Sequence, residues 1–373
     1  LHEPVEAVGS VSWSGVASAT LIGLSSGHRQ EETELREPFR HRPPATRHGR
    51  KLRRLGAALL ALCLTSPAMA DAPARQPVRI LLPAPSQLPA FAPWMIARQL
   101  GAYADAGYDV EFITAQGGAD VAKQVGVGNA PIGVALGDSP IIVRPNGIPV
   151  KAVAVMGGGS LAVIVARGDR GIQSLADLRG KKLSVMSFQE SNYIAFLGAL
   201  ASKGIAKTDV SVQAVGPAGV VSLVLAGSVD GCICTPDWEV DVENASPGAV
   251  AMPITADFPA MAQGMLASDS MIAEHPDFVR AMVQASLKGM RLIIDNPAEA
   301  VKIYIQALPT FADKQALMTQ ILENYRQRTY RGQPVLGAVD PERLAKLQDF
   351  YVANGLAKSR EPLADLYTNK FVE

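Results

Sequence analysis

Side chains able to do covalent chemistry are few in this sequence. Past residue 70 it keeps one histidine, His275, and two cysteines, Cys232 and Cys234. A single histidine makes no multi-histidine metal site, and no serine stands in a G-x-S-x-G elbow. Cys232-x-Cys234 lacks a second cysteine pair or nearby histidines, so zinc is not expected. A disulfide between residues two apart is geometrically awkward, and the pair reads instead as two small buried residues on one strand face. No catalytic residue, cofactor or metal is therefore expected. A second pattern is richer. Asp138, Glu190, Asp237 and Glu239 supply acceptors in segments that also hold Phe91, Trp94, Phe188 and Trp238, with no arginine or lysine among them. Aromatic faces beside carboxylates suit a planar or amine-bearing organic ligand better than an inorganic anion, which charged clefts usually capture.

Those residues need elements to bring them together. From Val78 the sequence alternates short apolar runs with helical patterns. Val78–Leu82, Asp109–Ile113, Ile132–Leu136 and Lys151–Met156 read as strands, each followed by a polar or glycine-rich loop. Leu161–Ala166 crosses to a second unit holding Leu183–Met186, Val210–Ala214, a helix at Val220–Ala226, and Gly231–Thr235. Val250–Ile254 and Met265–Ser268 are expected to return to the first sheet. Beyond Ser270 the chain reads as helical, with Phe278, Val279, Met282, Val283, Leu287 and Met290 on one face. Further helices are expected near Pro297–Ala307, Lys314–Arg326, Pro341–Asn354 and Leu363–Phe371. Strands alternating with helices imply a largely parallel sheet, whose ligands sit beyond the carboxyl ends of its strands. The candidate ligand-binding residues are those in the loops there. They are Ser86, Phe91 and Trp94; Gln116 and Gly117; Asp138 and Ser139; Gly158 and Ser160. In the second unit they are Ser187, Phe188, Glu190 and Asn192, then Thr235, Asp237 and Trp238.

The most organised stretch is Ile172–Tyr193. Ser174 can cap a short helix carrying Leu175, Asp177 and Leu178, and Gly180 ends it. Lys181-Lys182 are a solvated shoulder before the strand Leu183–Met186. The polar Ser187–Asn192 then leads into a helix whose apolar face is Ile194, Leu197 and Leu200. A strand feeding a polar turn into a helix N-terminus presents backbone N–H groups to a ligand. This order resembles the periplasmic solute-binding proteins of the nitrate, sulfonate, taurine and thiamine-pyrimidine-precursor group. Leu100–Tyr103 through Asp109–Phe112 resembles the same family, as do Ile132–Pro140 and Gly147–Val153. The resemblance spans roughly residues 78–295.

It implies an α/β, two-lobe type II periplasmic binding protein fold with a cleft between lobes. It also implies an extracytoplasmic protein that captures a small molecule and delivers it to an ABC transporter permease. The implied organisation is a first lobe from 71–156, a second from 157–251, and a return at 252–373 with C-terminal helices. Two alternatives stay open: a ligand sensor for a receptor kinase, and a pyrimidine-precursor biosynthetic enzyme of the same superfamily. The fungal enzymes of that kind use a cysteine-rich segment and a histidine, which this sequence does not match.

The chain has 373 residues, zero formal net charge and 48% hydrophobic residues, enough for two ordinary domains and without a nucleic-acid footprint. Arg50, Lys51, Arg53 and Arg54 precede the apolar run Leu55–Leu64 and the small-x-small site Ala68-Met69-Ala70. That run is shorter than the roughly 20 residues a membrane span needs, so residues 50–70 read as a secretory signal peptide cut after Ala70. No stable membrane span is expected beyond it, and the expected location is the periplasm. Residues 1–49 hold four of the five histidines but no periodic apolar pattern, and read as a disordered N-terminal extension.

Overall fold

The structure, a computed structural model, describes residues 74–373. The expected extension at 1–49, the signal peptide at 50–70 and its cleavage point lie outside the described residues.

Among the described residues, ten strands form two five-stranded sheets. The first contains β1 (Gln76–Leu82), β2 (Tyr108–Thr114), β3 (Ile132–Leu136) and β4 (Val150–Val155). The second is built from β5 (Val163–Ala166), β6 (Lys182–Val185), β7 (Ser211–Ala214), β8 (Gly231–Cys234) and β9 (Val250–Pro253). The chain then returns to the first through β10 (Gln263–Ser268). The orders are β2-β1-β3-β10-β4 and β7-β6-β8-β5-β9. Each sheet is mostly parallel with one antiparallel strand: β10 runs against β3 and β4, and β5 runs against β8 and β9.

The helices of the first half are α1 (Ala92–Gln99), α2 (Ala102–Asp105), α3 (Gly118–Gly126) and α4 (Ser139–Val143). Those of the second lobe are α5 (Ser191–Ser202), α6 (Gly216–Leu225) and α7 (Pro236–Ala245). After β10 come α8 (Asp269–Glu274), α9 (Pro276–Asp295), α10 (Pro297–Ala307), α11 (Gln315–Tyr325), α12 (Pro341–Ala353) and α13 (Leu363–Leu366). This is the mixed α/β, two-sheet architecture that the apolar periodicity implied.

Three details depart from expectation. The run at Val250–Ile254 forms a strand, but it pairs antiparallel with β5 and so extends the second sheet. A four-residue apolar run carries no information about which sheet edge it joins. The expected helix Leu363–Phe371 stops at Leu366, because Tyr367 turns extended and bridges to Ala152 of β4. The sulfurs of Cys232 and Cys234, expected to be unbonded, are joined. Alternation along β8 puts both on one face with Cα atoms 5.6 Å apart, inside the range a disulfide spans.

Alternation also splits the second sheet between two cores. Ile164 and Ile233 point into the large cluster shared with the first lobe. Val163, Val165, Cys232 and Cys234 face a smaller one beneath α6 and α7. The short helix within Ile172–Tyr193 is 3₁₀, Leu175–Leu178, held by a capping box in which Asp177 accepts from the backbone and hydroxyl of Ser174.

Two segments cross between the lobes: 156–162 from β4 to β5, and 254–262 from β9 to β10. The first contains Gly157-Gly158-Gly159, pressed backbone to backbone against a π-helical turn at Arg326–Tyr330 and the residues after it. Gly158 and Gly159 donate to the carbonyls of Arg331 and Thr329 at 3.1 and 2.9 Å. A Cβ on Gly158 would lie 2.6 Å from the Arg331 oxygen, and Gly157 sits at φ +133°, so only glycine fits this approach. Arg343, on α12, ties both crossovers together. Its Nε donates to the Pro259 carbonyl at 2.8 Å, and its two terminal nitrogens donate to the carbonyls of Gly158 and Ala260.

Candidate functional site: the cleft between the two lobes

The carboxyl ends of the parallel strands in both sheets face each other. From the first lobe come the loop after β1 and the N-terminus of α3; from the second, the N-termini of α5 and α7. The lobes meet closely here. A Cβ on Gly117 would lie 2.8 Å from the Gln189 carbonyl oxygen, and one on Gly118 would collide with the Ser191 hydroxyl.

Between the lobes lies a cavity of about 50 Å³. Its apolar walls include Leu88, Phe91, Leu136, Leu161, Met186 and Trp238, and its polar lining includes Glu190, Ser191, Asn192, Thr235 and Gln263. Beyond Ser191 a second cavity of about 80 Å³ is lined by Asp138, Ser139, Phe188, Gln189 and Tyr351. The structure thus brings Phe91, Glu190, Asn192, Thr235 and Trp238 into one cavity, and Asp138, Ser139 and Phe188 into its neighbour.

The other expected ligand residues sit elsewhere. Trp94 is completely buried in α1, off both cavities, where α1 packs on α9 and α10. Gly289 of α9 permits that packing, since any side chain there would strike the Pro93 carbonyl. Ser86 lies in the turn before Leu88, and Gln116 is exposed, its backbone N–H donating to Asp120. Gly158 and Ser160 belong to the crossover, where Thr329 donates to the Ser160 carbonyl. Ser187 accepts from the Gln189 N–H at the turn before α5. Gly117 caps α3 and lines neither cavity.

Asp237 also turns away from the cavity. Its carboxylate accepts from Thr235 and from the Tyr325 hydroxyl on α11. Glu239, two residues on, accepts from Asn324 and pairs with Arg328. These two carboxylates therefore dock α7 onto α11 and the π-helical turn. Both side chains of that tie were visible as acceptors; their partners lie some 85–88 residues away.

Burial raises every carboxyl in the cleft. Asp138 is pushed up to about 6, partly offset by the Tyr351 hydroxyl donating at 2.8 Å. Burial pushes Glu190 up to about 7, opposed mainly by Asn192, which donates to its Oε1 at 2.6 Å. Asp237 is raised by burial and restrained by Thr235 and Tyr325. Among them Glu190 is distinctive, because its Oε2 is buried with no hydrogen-bond partner.

Gln263, buried at the start of β10, was not expected in the site. A lone polar residue inside the apolar run Ala260–Leu266 is the signal that marks it. Among the described residues no group of three His, Cys, Asp or Glu is placed to hold a metal. His275 lies with the beginnings of β1 and β2, at the opposite end of the first sheet from the cleft.

Because Trp238 lines the cavity and Trp94 does not, a ligand in the cleft is expected to change the emission of Trp238. The change should vanish in Trp238→Phe and persist in Trp94→Phe. Trp94→Ala, by contrast, should destabilise the fold by about 3–5 kcal/mol, the usual cost of emptying a large core site. A ligand signal lost in Trp94→Phe but kept in Trp238→Phe would show the cavity to be the wrong site.

Comparison with known proteins agrees with this architecture. The riboflavin-binding protein RibY of Chloroflexus aurantiacus is 28% identical over 82% of this chain and 90% of its own length. A 4-amino-5-hydroxymethyl-2-methylpyrimidine phosphate synthase of Legionella pneumophila is 22% identical over 59% of this chain and 71% of its own. Among solved structures, the alkanesulfonate-binding protein SsuA of Xanthomonas axonopodis pv. citri superposes with a TM-score of 0.63 at 18% identity. That superposition covers 80% of this chain and all of SsuA, and shows a shared fold. The family model described as NMT1/THI5 like matches residues 88–300, more than half of the sequence, and the chain belongs to that family.

Proposed function

We propose that this protein is an extracytoplasmic solute-binding protein that captures a planar organic molecule between its lobes and delivers it to an ABC-type importer. The observation that carries this reading is the cavity at the carboxyl ends of both sheets. Phe91 and Trp238 come to it from opposite lobes, and buried acceptors line it without any lysine or arginine. Flat faces can stack on those rings while edges reach the acceptors. The family and the similarity to RibY support the same class, since a flavin is flat and carries an N–H on its outer edge. Secretion through the segment at 50–70, with cleavage after Ala70, is part of this proposal. Among the described residues no helix is long and apolar enough to cross a membrane.

A cavity of about 50 Å³ is far smaller than the 300–1,000 Å³ typical of sites for ligands of this kind. Loading therefore requires the lobes to part and then close on the ligand. The two crossovers clasped by Arg343 and the π-helical turn are the hinge for that motion.

The test is binding to the purified protein of riboflavin, 4-amino-5-hydroxymethyl-2-methylpyrimidine, taurine, methanesulfonate and nitrate. At a hundredfold excess over its dissociation constant a ligand stabilises the protein by about 2.7 kcal/mol. A cognate ligand should accordingly raise the melting temperature by several degrees, with no product formed. Catalytic turnover of any of these compounds would move the protein to the enzyme reading that the Legionella relative represents. Tight binding of nitrate or a sulfonate alone would replace the planar ligand with an anion.

A further inference from the structure

Three polar atoms near the cavity are buried and lack a partner: Glu190 Oε2, Asn192 Oδ1 and Gln263 Oε1. All three are acceptors, Glu190 Oε2 once its carboxyl is ionised above about pH 7. Asn192 is oriented by its own amide nitrogen, which donates to Glu190 Oε1 at 2.6 Å, so the oxygen is the end left free. The other buried carboxylates of the cleft region are engaged: Asp138 by Tyr351, Asp237 by Thr235 and Tyr325, and Glu239 by Asn324 and Arg328.

Proteins rarely keep a buried acceptor unpaired, and three lining one largely apolar cavity call for a common cause. They also come from both lobes. Glu190 and Asn192 stand at the start of α5 in the second lobe, and Gln263 stands at the start of β10 in the first.

We propose that the cleft selects its ligand by hydrogen-bond donors, and that Glu190, Asn192 and Gln263 together read N–H groups on the edge of a flat heterocycle. The inference rests on the cavity being the ligand site and goes further by naming the edge that is read. A donor edge reaching Gln263 as well as Glu190 and Asn192 touches both lobes, so recognition and closure are the same event. An acceptor-only oxoanion finds three oxygens facing it and is rejected. A ring of the same shape whose N–H is methylated leaves these acceptors unpaired, which is how polar sites discriminate most strongly.

The experiment compares two pairs of probes by calorimetry: riboflavin against 3-methylriboflavin, and 4-amino-5-hydroxymethyl-2-methylpyrimidine against its 4-dimethylamino analogue. Within whichever pair binds, the donor-bearing member is expected to bind at least tenfold more tightly. Gln263→Met, close to isosteric, should weaken that member about fivefold or more while leaving the melting temperature unchanged or higher, because it removes an unpaired buried acceptor. A purely structural Gln263 would instead lower the melting temperature and leave the donor preference intact. Equal binding of the methylated and unmethylated members overturns donor reading while the cleft stands as a solute site. Binding of methanesulfonate or nitrate at this site more tightly than either donor probe does the same. Failure of all these compounds to bind overturns both the inference and the reading beneath it.

Discussion

Arg343→Ala should lower the unfolding free energy by about 4 kcal/mol or more, since hydrogen bonds to a charged group each contribute about 1.5–3 kcal/mol and three carbonyls lose theirs. The guanidinium bonds Gly158 in one crossover and Pro259 and Ala260 in the other. These segments are the two stretches of backbone between the sheets that form the proposed hinge, so the loss falls on the crossovers that join the lobes. Asp138 is affected too, because the Arg343 charge is one of the influences restraining its raised pKa; without it that carboxyl rises further. Arg343→Lys keeps the charge but not the planar fork, and should recover only a minor part of the loss. Urea unfolding measures both variants. A change below roughly 0.5 kcal/mol for Arg343→Ala, the size of an ordinary surface substitution, would show that the clasp does not hold the crossovers.

The second large effect is a pH dependence centred on Glu190. Its carboxyl sits at about 7 in the folded protein against 4.5 ordinarily, because burial disfavours the charge. Below about 4.5 the folded and unfolded chains both hold the proton. Between about 4.5 and 7 the unfolded chain releases it while the folded one keeps it, so stability falls as pH rises through that window. At about 1.4 kcal/mol per pKa unit the full effect is about 3 kcal/mol. Asp138, raised from 3.8 to about 6, acts in the same direction over a lower range.

Glu190→Gln removes one of these ionisations. The variant should be more stable than the parent at pH 8 by up to about 3 kcal/mol, nearly equal to it at pH 4.5, and flatter in between. It should also bind a donor-bearing ligand less tightly, a trade common where a binding group is poorly accommodated in the empty protein. Melting curves from pH 4.5 to 8 give the answer. An unchanged slope, or a variant less stable at pH 8, would assign the titration to another group.

The local order of the chain was legible before any coordinates. Apolar runs such as Ile132–Leu136 and Gly231–Thr235 are bounded by glycine, proline and polar residues, and they form β3 and β8 within a residue of their expected ends. The face of α9 is likewise visible in its spacing: Val279, Met282, Val283, Leu287 and Met290 are all buried. The face of α5 was only half visible. Ile194 and Leu197 are partly covered, while Asn192, Ala195, Phe196 and Ala199 take the buried side, because the first lobe and the Phe258 segment close over it.

The two tryptophans separate what each level decides. Both stand in the loop-to-helix segments after strands, and nothing near either residue distinguishes them. Trp94 is enclosed because Gly289, almost two hundred residues away, lets α9 approach α1; Trp238 meets the cavity because β8 lies at the centre of the second sheet. Asp237 and Glu190 divide in the same way. Only the arrival of α11 gives Asp237 a tyrosine partner, while no donor reaches the second oxygen of Glu190. The sequence by itself determined the alternation of strands and helices, because periodicity and turn residues act over a few neighbours. Tertiary structure decided which sheet β9 joins, which aromatics and carboxylates face the cleft, and that Gln263 and Arg343 matter at all. Those outcomes depend on contacts between segments many tens of residues apart, and no local pattern carries them.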